Sequence, residues 1–330
     1  VTSPLILAIP SKGRLKDQVE AWLADCGLPV RTLGGVRGYS ATLEGFDEVQ
    51  VRLASAGDIA VSLAAGDIHL GVTGEDLLRE QGASDGAAVL LLMALGFGRA
   101  NLVVAAPKSW IDVETMADVE DVAHAYLART GRRLRVATKY GVQTRDFFAR
   151  HGIADYRLAE SGGATEGAPA AGAAELVVDI TTTGATLAAN GLKPLADGLI
   201  LKSEARLAAS LGADWDDTKL AVCGRLVSIL EARARGRVIA SLTWPADQDP
   251  RARQATAAFV AAGEAPRANG VLVPRQDLFK AAAALAAAGV GPVSVTRPEH
   301  VFQSESVAAG RLEEALARQP SGSGPKVTSA

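Results

Sequence analysis

The sequence predicts an α/β protein built as a two-lobed body, followed by a small α+β unit. Three observations lead there. Short apolar runs alternate with amphipathic stretches of helical period over residues 5–210, the rhythm of strand and helix in βαβ units with mostly parallel strands. Residues 194–210 carry the chain back toward its first strands after a long excursion, which makes two lobes with a cleft between them. Beyond residue 225 a shorter strand and helix pattern begins afresh.

"LILAIP" (5–10) is the first strand, and "LKDQVEAWLADCG" (15–27) an amphipathic helix closed by Gly27. "VQVRLAS" (49–55) is a strand, residues from about 58 to 65 a helix, and "IHLGVTG" (68–74) the next strand. The second lobe holds strands "NLVVAAP" (101–107), "LRVATKY" (134–140), "YRLAES" (156–161) and "ELVVDI" (175–180), with a helix around "VEDVAHAYLART" (119–130). "PLADGLILKSEARLAAS" (194–210) reads as a strand followed by a polar-faced helix, and "RLVSILEARARGR" (225–237) as a basic helix. In the third unit, strands "VIASLTW", "NGVLVP" and "PVSVTRP" flank helices "RQATAAFVAAG" and "DLFKAAAALAAAG". The expected boundaries are 1–100 with 193–224 for lobe 1, 101–192 for lobe 2, 225–310 for the third unit, and 311–330 for a helix end and a disordered tail.

Net charge of −3 gives no electrostatic support for nucleic acid as a main partner. The two cysteines, Cys26 and Cys223, have no CxxC spacing, and His69, His124, His151 and His300 form no i,i+4 pair. A disulfide framework and a metal held by protein ligands alone are therefore not expected, and His69, between Ile68 and Leu70, reads as a core histidine. No run approaches the ~20 apolar residues of a membrane span, and the first residues lack a charged export signal, so the expected location is the cytoplasm.

The strongest chemical signal is "VVDITTTGATLAANGL" (177–192). Asp179 ends a buried apolar run where α/β sheets place ligands; Thr181, Thr182, Thr183, Gly184, Ala185 and Thr186 follow, with a helix opening behind them. Hydroxyl donors, a glycine permitting close backbone approach and a helix start suit a phosphate. It is not a Walker loop, since GxxxxGK[ST] is absent, and "GFGRAN" (96–101) lacks the third glycine of a dinucleotide fingerprint. "IPSKGRL" (9–15) sets Ser11, Lys12, Gly13 and Arg14 at a strand-to-helix turn, two cations suited to a polyphosphate or simply a solvated turn. "GVTGEDLL" (71–78), with Gly74 and Asp76, reads first as a helix start with favourable acids. "RVATKYGVQTRDFF" (135–148) offers Lys139, Tyr140, Thr144 and Arg145 as a cleft-facing set or a soluble helix face, and "SGGATEG" (161–167) brings Glu166 toward the threonine loop.

In this order, "AIPSKGRL", "SAGDIAVSLAAGDIHLGVTGEDLL", "RVATKYGVQTRDFF" and "GATEGAPAAGAAELVVDITTTGATLAANGL" resemble the ATP phosphoribosyltransferase family, first enzymes of histidine biosynthesis, over roughly residues 5–210. The resemblance implies a catalytic body like a type II periplasmic binding protein and transfer of phosphoribosyl from phosphoribosyl pyrophosphate to N1 of ATP. It implies a 5-phosphate held by residues 181–186, and Asp179 near the ribose hydroxyls or, through water, a magnesium ion arriving with the substrates. Asp179, Lys12 and Glu166 become the candidate catalytic residues; Ser11, Lys12, Gly13, Arg14, Gly74, Asp76, Lys139 and Tyr140 are the candidates for ATP or pyrophosphate.

Residues 225–310 resemble the C-terminal ferredoxin-like domain of the family's long form, which implies histidine as an inhibitor and a homo-oligomer passing from dimer to hexamer. The first half of that domain looks shortened here. Short-form members depend on a partner resembling histidyl-tRNA synthetase, which a chain with its own third unit is not expected to need. The rival expectation is a bilobal cytoplasmic ligand-binding or sensor module without catalysis; it accounts for the cleft but not for the threonine loop with Lys12, Arg14 and Glu166. An orotate-type phosphoribosyltransferase would place two acids before the threonines, where this chain has Val177, Val178 and the single Asp179.

Overall fold

The computed structural model describes residues 3–32, 40–82, 86–161, 163–264 and 267–319. These divide into two compact units, one drawn from Val1–Lys219 and Glu314–Ala330, the other from Leu220–Glu313.

The first unit opens with β1 (Leu5–Pro10), α1 (Gly13–Asp25), β2 (Val30–Thr32), β3 (Ser40–Leu43), β4 (Phe46–Ala54), α2 (Ala56–Ala65), β5 (Leu70–Gly74), α3 (Glu75–Glu80) and β6 (Val89–Ala94). Then follow β7 (Ala100–Pro107), α4 (Met116–Thr130), β8 (Leu134–Thr138), α5 (Gly141–Arg150), β9 (Tyr156–Glu160), β10 (Leu176–Thr181), α6 (Ala185–Ala189), β11 (Leu192–Ser203) and β12 (Ala205–Ser210). Seven strands form one sheet in the order β2-β3-β4-β1-β5-β12-β6; five form another in the order β11-β7-β10-β8-β9. The strand that returns to the first sheet after the second is β12, which lies between β5 and β6.

Two expectations about these sheets need correction. They are mixed rather than mostly parallel: β1 is parallel to β4 and β5, and β8 to β9 and β10, but β12 and β7 pair antiparallel with all their neighbours. Residues 194–210 are two strands rather than a strand and a helix. Ala205, Leu207 and Ala209 alternate with Arg206 and Ala208 between two hydrogen-bonded neighbours, and this pairing overrides the helix preference of the Glu-Ala-Arg-Leu-Ala-Ala composition. The short strands β2 and β3 and the strand β6 had no place in the sequence reading.

The parallel strands of each sheet carry their loops at one end, and local chemistry shapes those loops. Ser55 follows β4 and caps α2, accepting the Asp58 amide at 3.2 Å on Oγ. Thr115 and Asp118 form a reciprocal capping box at the start of α4. The second sheet's core gathers Leu102, Val104, Val136, Tyr140, Phe148, Leu176 and Val178. Side chains of this size contribute roughly 1.5–3 kcal/mol each when fully buried.

The second unit contains most of α7 (Asp217–Val238), then β13 (Ile239–Thr243), α8 (Asp249–Thr256), β14 (Gly270–Pro274), α9 (Leu278–Ala287), β15 (Ser294–Thr296) and the start of α10 (Val307–Ala317). Its sheet is antiparallel in the order β14-β13-β15. A ferredoxin-like sheet has a fourth strand between α8 and β14. The described residues there form a 3-10 turn, Ala257–Phe259, and an isolated bridge between Arg267 and Gly270. The helix expected at 253–263 instead starts at Asp249, with Pro250 in its first turn, and stops at Thr256. Residues 320–330, read as a disordered tail, lie outside the described residues.

Candidate active site

The acid that introduces the threonine loop sits on β10, opposite Val103 of β7. Asp179 Oδ1 accepts its neighbour's amide, from Ile180, at 2.8 Å. Burial pushes its pKa up; the Ile180 amide and Lys139 oppose that, and the nearby carboxylates Glu166 and Asp76 add to it. Three separate segments thus act electrostatically on Asp179: Lys139 after β8, Glu166 in the 3-10 turn Thr165–Gly167 and Asp76 on α3.

That loop is tied by its own hydroxyls. Thr181 Oγ1 accepts the Gly184 amide at 2.8 Å and Thr183 Oγ1 the Ala185 amide at 3.4 Å. Gly184 has φ of 76°, the left-handed conformation that lets the backbone turn directly into α6. Thr182, Thr183, Ala185 and Thr186 are exposed, and the hydroxyls of Thr182 and Thr186 make no hydrogen bond among the described residues. The result is a rim of small, polar, unoccupied donors beside a carboxylate.

Asp76 and Tyr140 stand elsewhere in character from what the motifs predict. Both are buried, and Asp76 has both carboxylate oxygens engaged by protein: Oδ1 accepts the Ser203 hydroxyl at 2.7 Å and Oδ2 the Tyr140 hydroxyl at 2.7 Å. Its backbone is held too, the amide by Ser203 Oγ at 3.0 Å and the carbonyl by Gln143 Nε2 at 2.8 Å. Burial and then the Asp76 charge raise the Tyr140 pKa far above that of an ordinary phenol, so it stays a proton donor. Gly74 serves the same arrangement: a Cβ there would stand 2.4 Å from Asp76 Oδ1.

Glu80, at the far end of α3, accepts the Val142 and Gln143 amides at 2.8 and 3.2 Å and so occupies the N-terminus of α5. Thr144, expected on a cleft-facing set or a soluble helix face, is buried and donates to the Tyr140 carbonyl at 2.6 Å; Arg145 is exposed. Glu75, 3% exposed, is held between Arg79 and Arg206; burial pushes its pKa up, but the two guanidinium partners outweigh this and leave it lowered. Sequence reasoning missed Glu75, Glu80, Gln143, Ser203 and Arg206. Their signal lay in long-range pairing, and only the position of Glu75 beside Asp76 in "GEDLL" hinted at it.

At the end of β1, Ser11 donates its amide to the Ala54 carbonyl at 2.8 Å, and Gly13 takes φ of 77°. Lys12 and Arg14 are exposed and make no ion pair or hydrogen bond among the described residues. Lys139 is also exposed, its Nζ 5.2 Å from the Tyr140 ring centroid.

A family model described as HisG: ATP phosphoribosyltransferase matches residues 55–230, more than half of the chain. The chain belongs to the ATP phosphoribosyltransferase family. Membership makes it a pentosyltransferase of histidine biosynthesis, the reading expected over a non-catalytic binding module. A relative named ATP phosphoribosyltransferase from Caulobacter vibrioides (strain NA1000 / CB15N) is 66% identical over 316 residues, covering 96% of this chain and 99% of its own. One of the same name from Bradyrhizobium sp. (strain ORS 278) is 46% identical over 323 residues, covering 96% and 99%. Among solved structures, the ATP phosphoribosyl transferase (HisG:HisZ) complex from Thermotoga maritima has a chain with TM-score 0.52 and 24% identity, covering 69% of this chain and 96% of that one. At that identity the likeness shows the shared fold. Among the described residues no helix is long and apolar enough to cross a membrane, and no group of three or more His, Cys, Asp or Glu could hold a metal ion.

Proposed function

We propose that this ATP phosphoribosyltransferase joins N1 of the ATP adenine to C1 of phosphoribosyl pyrophosphate in the site around Asp179. The observation that carries the reading is the half-buried Asp179 carboxylate standing directly before an exposed threonine rim, with Lys139 and Glu166 in its field. The 5-phosphate sits on residues 181–186, whose hydroxyls and backbone amides are donors and whose Gly184 leaves room for close approach. Asp179 faces the ribose hydroxyls.

In the transition state the C1–O bond breaks with its electron pair passing to pyrophosphate, while the N1 lone pair forms the new bond. Negative charge grows on the leaving group and positive charge on the ribose. The carboxylates of Asp179 and Glu166 stabilise the ribose, and Lys12, Arg14 and Lys139 the polyphosphates. Adenine N1 already has a lone pair, so positioning rather than a strong base does most of the catalysis.

Magnesium fits this donor set as an ion shared with substrate phosphates: Asp179 Oδ1 is taken by the Ile180 amide and Oδ2 is left for one contact, direct or through water. The ion would neutralise charge on the pyrophosphate. Gly74, Asp76 and Tyr140 act in this reading by fixing the floor of the site rather than by touching ATP. The second unit is read as the seat of histidine inhibition and of homo-oligomer assembly, and the protein as cytoplasmic.

The test is formation of phosphoribosyl-ATP, followed by absorbance, from ATP, magnesium and phosphoribosyl pyrophosphate with added pyrophosphatase, with and without histidine. Product formation supports the reading, and inhibition by histidine supports the regulatory role of the second unit. No product in the presence of both substrates overturns it.

A further inference from the structure

The loop after β7 and one face of α4 enclose a cavity of about 490 Å³, walled by Trp110, Ile111, Val122, Ala125 and Tyr126 and joined by Arg129. That volume is within the range of small-molecule sites, ~300–1,000 Å³. β7 pairs antiparallel with β10, Asn101 opposite Thr181, so the loop beyond Pro107 leaves the sheet at the end away from the threonine loop. We infer that this cavity binds a small aromatic carboxylate.

Three features lead to that ligand. First, the walls are aromatic and fixed. Trp110, Val122 and Tyr126 pack against the core of the second sheet, and the Tyr126 hydroxyl donates to Glu175 Oε1 at 3.2 Å, a carboxylate that Arg135 holds at 2.6 Å. Ile111, 77% exposed, adds an apolar surface that a ring would cover. Second, Val122, Ala125, Tyr126 and Arg129 recur at helical spacing, so the cavity follows α4 for about 10 Å, room for a two-ring acid. The short Ala125 side chain keeps that path open. Third, free donors outnumber free acceptors. The half-buried Trp110 indole N–H and the exposed Arg129 guanidinium make no hydrogen bond or ion pair among the described residues, so both remain for an anion. Among the described residues of the lining only Asp112 is acidic. It sits on the loop whose Ile111 carbonyl accepts from Lys193 Nζ at 3.2 Å, so an ammonium already stands beside that loop, whereas Arg129 has no carboxylate partner. A planar carboxylate matches the Arg fork with two parallel hydrogen bonds while its rings lie among Trp110, Ile111 and Tyr126.

The lining falls within residues 109–129, a stretch that trypsin releases whole by cutting after Lys108 and Arg129. Benzophenone-4-carboxylate is therefore photo-crosslinked to the full-length protein, and the label is mapped by mass spectrometry. The expected result is saturable labelling of residues 109–129, unaffected by ATP with phosphoribosyl pyrophosphate. 2-Naphthoate should suppress it about tenfold better than 2-naphthylmethanol or 2-naphthylmethylamine. Ala125→Leu fills the cavity and Arg129→Gln removes its charge; both side chains are exposed and neither gives up a protein hydrogen bond, so both variants keep the fold. Each should weaken the saturable labelling about tenfold, the peptide in Arg129→Gln ending at Arg132. Labelling that does not saturate, equal suppression by the alcohol or the amine, displacement by ATP, or unchanged labelling in either variant would overturn the assignment.

Discussion

The Tyr140 hydroxyl donates to Asp76 Oδ2 at 2.7 Å, joining residues 64 positions apart and linking the two sheets of the catalytic body. The bond is buried, and Ser203 completes the same carboxylate from β11. Tyr140→Phe leaves one buried carboxylate oxygen without its donor, and the expected loss is ~1–3 kcal/mol in denaturant unfolding. A double-mutant cycle with Asp76→Asn should show coupling above ~0.5 kcal/mol. Additive losses would mean that the bond joins the sheets only incidentally.

Asp179→Asn should act in opposite directions on activity and on stability. Burial raises the Asp179 pKa in the folded state, so the stability tied to its protonation is complete below the unfolded value and is lost as pH rises through the folded value. At neutral pH the wild-type carboxylate is therefore a burden that asparagine relieves. Turnover should fall ~10²-fold or more while Tm rises. A variant that loses turnover and Tm together would make Asp179 a structural residue.

Thr183→Val combined with Gly184→Ala tests the phosphate rim. A Cβ at residue 184 meets nothing within 4 Å, so the structural penalty is the left-handed backbone, ~1–2 kcal/mol, together with loss of the long Ala185 amide bond to Thr183 Oγ1. Loss of phosphoribosyl pyrophosphate affinity well beyond that figure, measured as a rise in KM with the fold intact by circular dichroism, is the expected outcome. An unchanged KM would remove the loop from the binding site.

His69 gives the chain an acid-sensitive joint. Its Nδ1 accepts the Ile6 amide at 3.1 Å, and its Nε2 faces the Asp214 carbonyl at 3.1 Å, so the neutral ring satisfies both contacts. Burial lowers its pKa, Lys219 adds to that, and Asp214 and Asp216 oppose it. A histidine with a lowered folded pKa stabilises fully above its unfolded value of 6.5, and that contribution is lost as pH falls through the folded value. Thermal melts should lose stability below pH ~6.5, and His69→Gln should flatten that part of the curve. A wild-type profile that stays level there would count against the joint.

The strands that read most clearly are those with apolar runs buried on both faces, such as residues 5–10 and the start of β10, residues 176–178. Ala205–Ser210 misled because its residues favour helix in isolation, and only the strands on either side of it decide otherwise. The threonine loop was legible because its chemistry is contiguous. Asp76 and Tyr140 were visible as polar residues near strand ends, but their mutual bond depends on two sheets meeting, which no local pattern encodes. The same is true of Glu80, whose hold on the amides at the start of α5 no local pattern encodes.

The return of β12 to the first sheet means that the second lobe is inserted into the first, entering after β6 and leaving before β12. Its two attachments run side by side: Ala100 pairs with Ser203, and the Ala205 amide reaches the Phe97 carbonyl at 2.9 Å. Rotation about the line through two adjacent attachments, like a door on paired hinges, would work against the buried Tyr140–Asp76 bond on the same body. The two attachments and that bond together hold the second sheet in one register with the first.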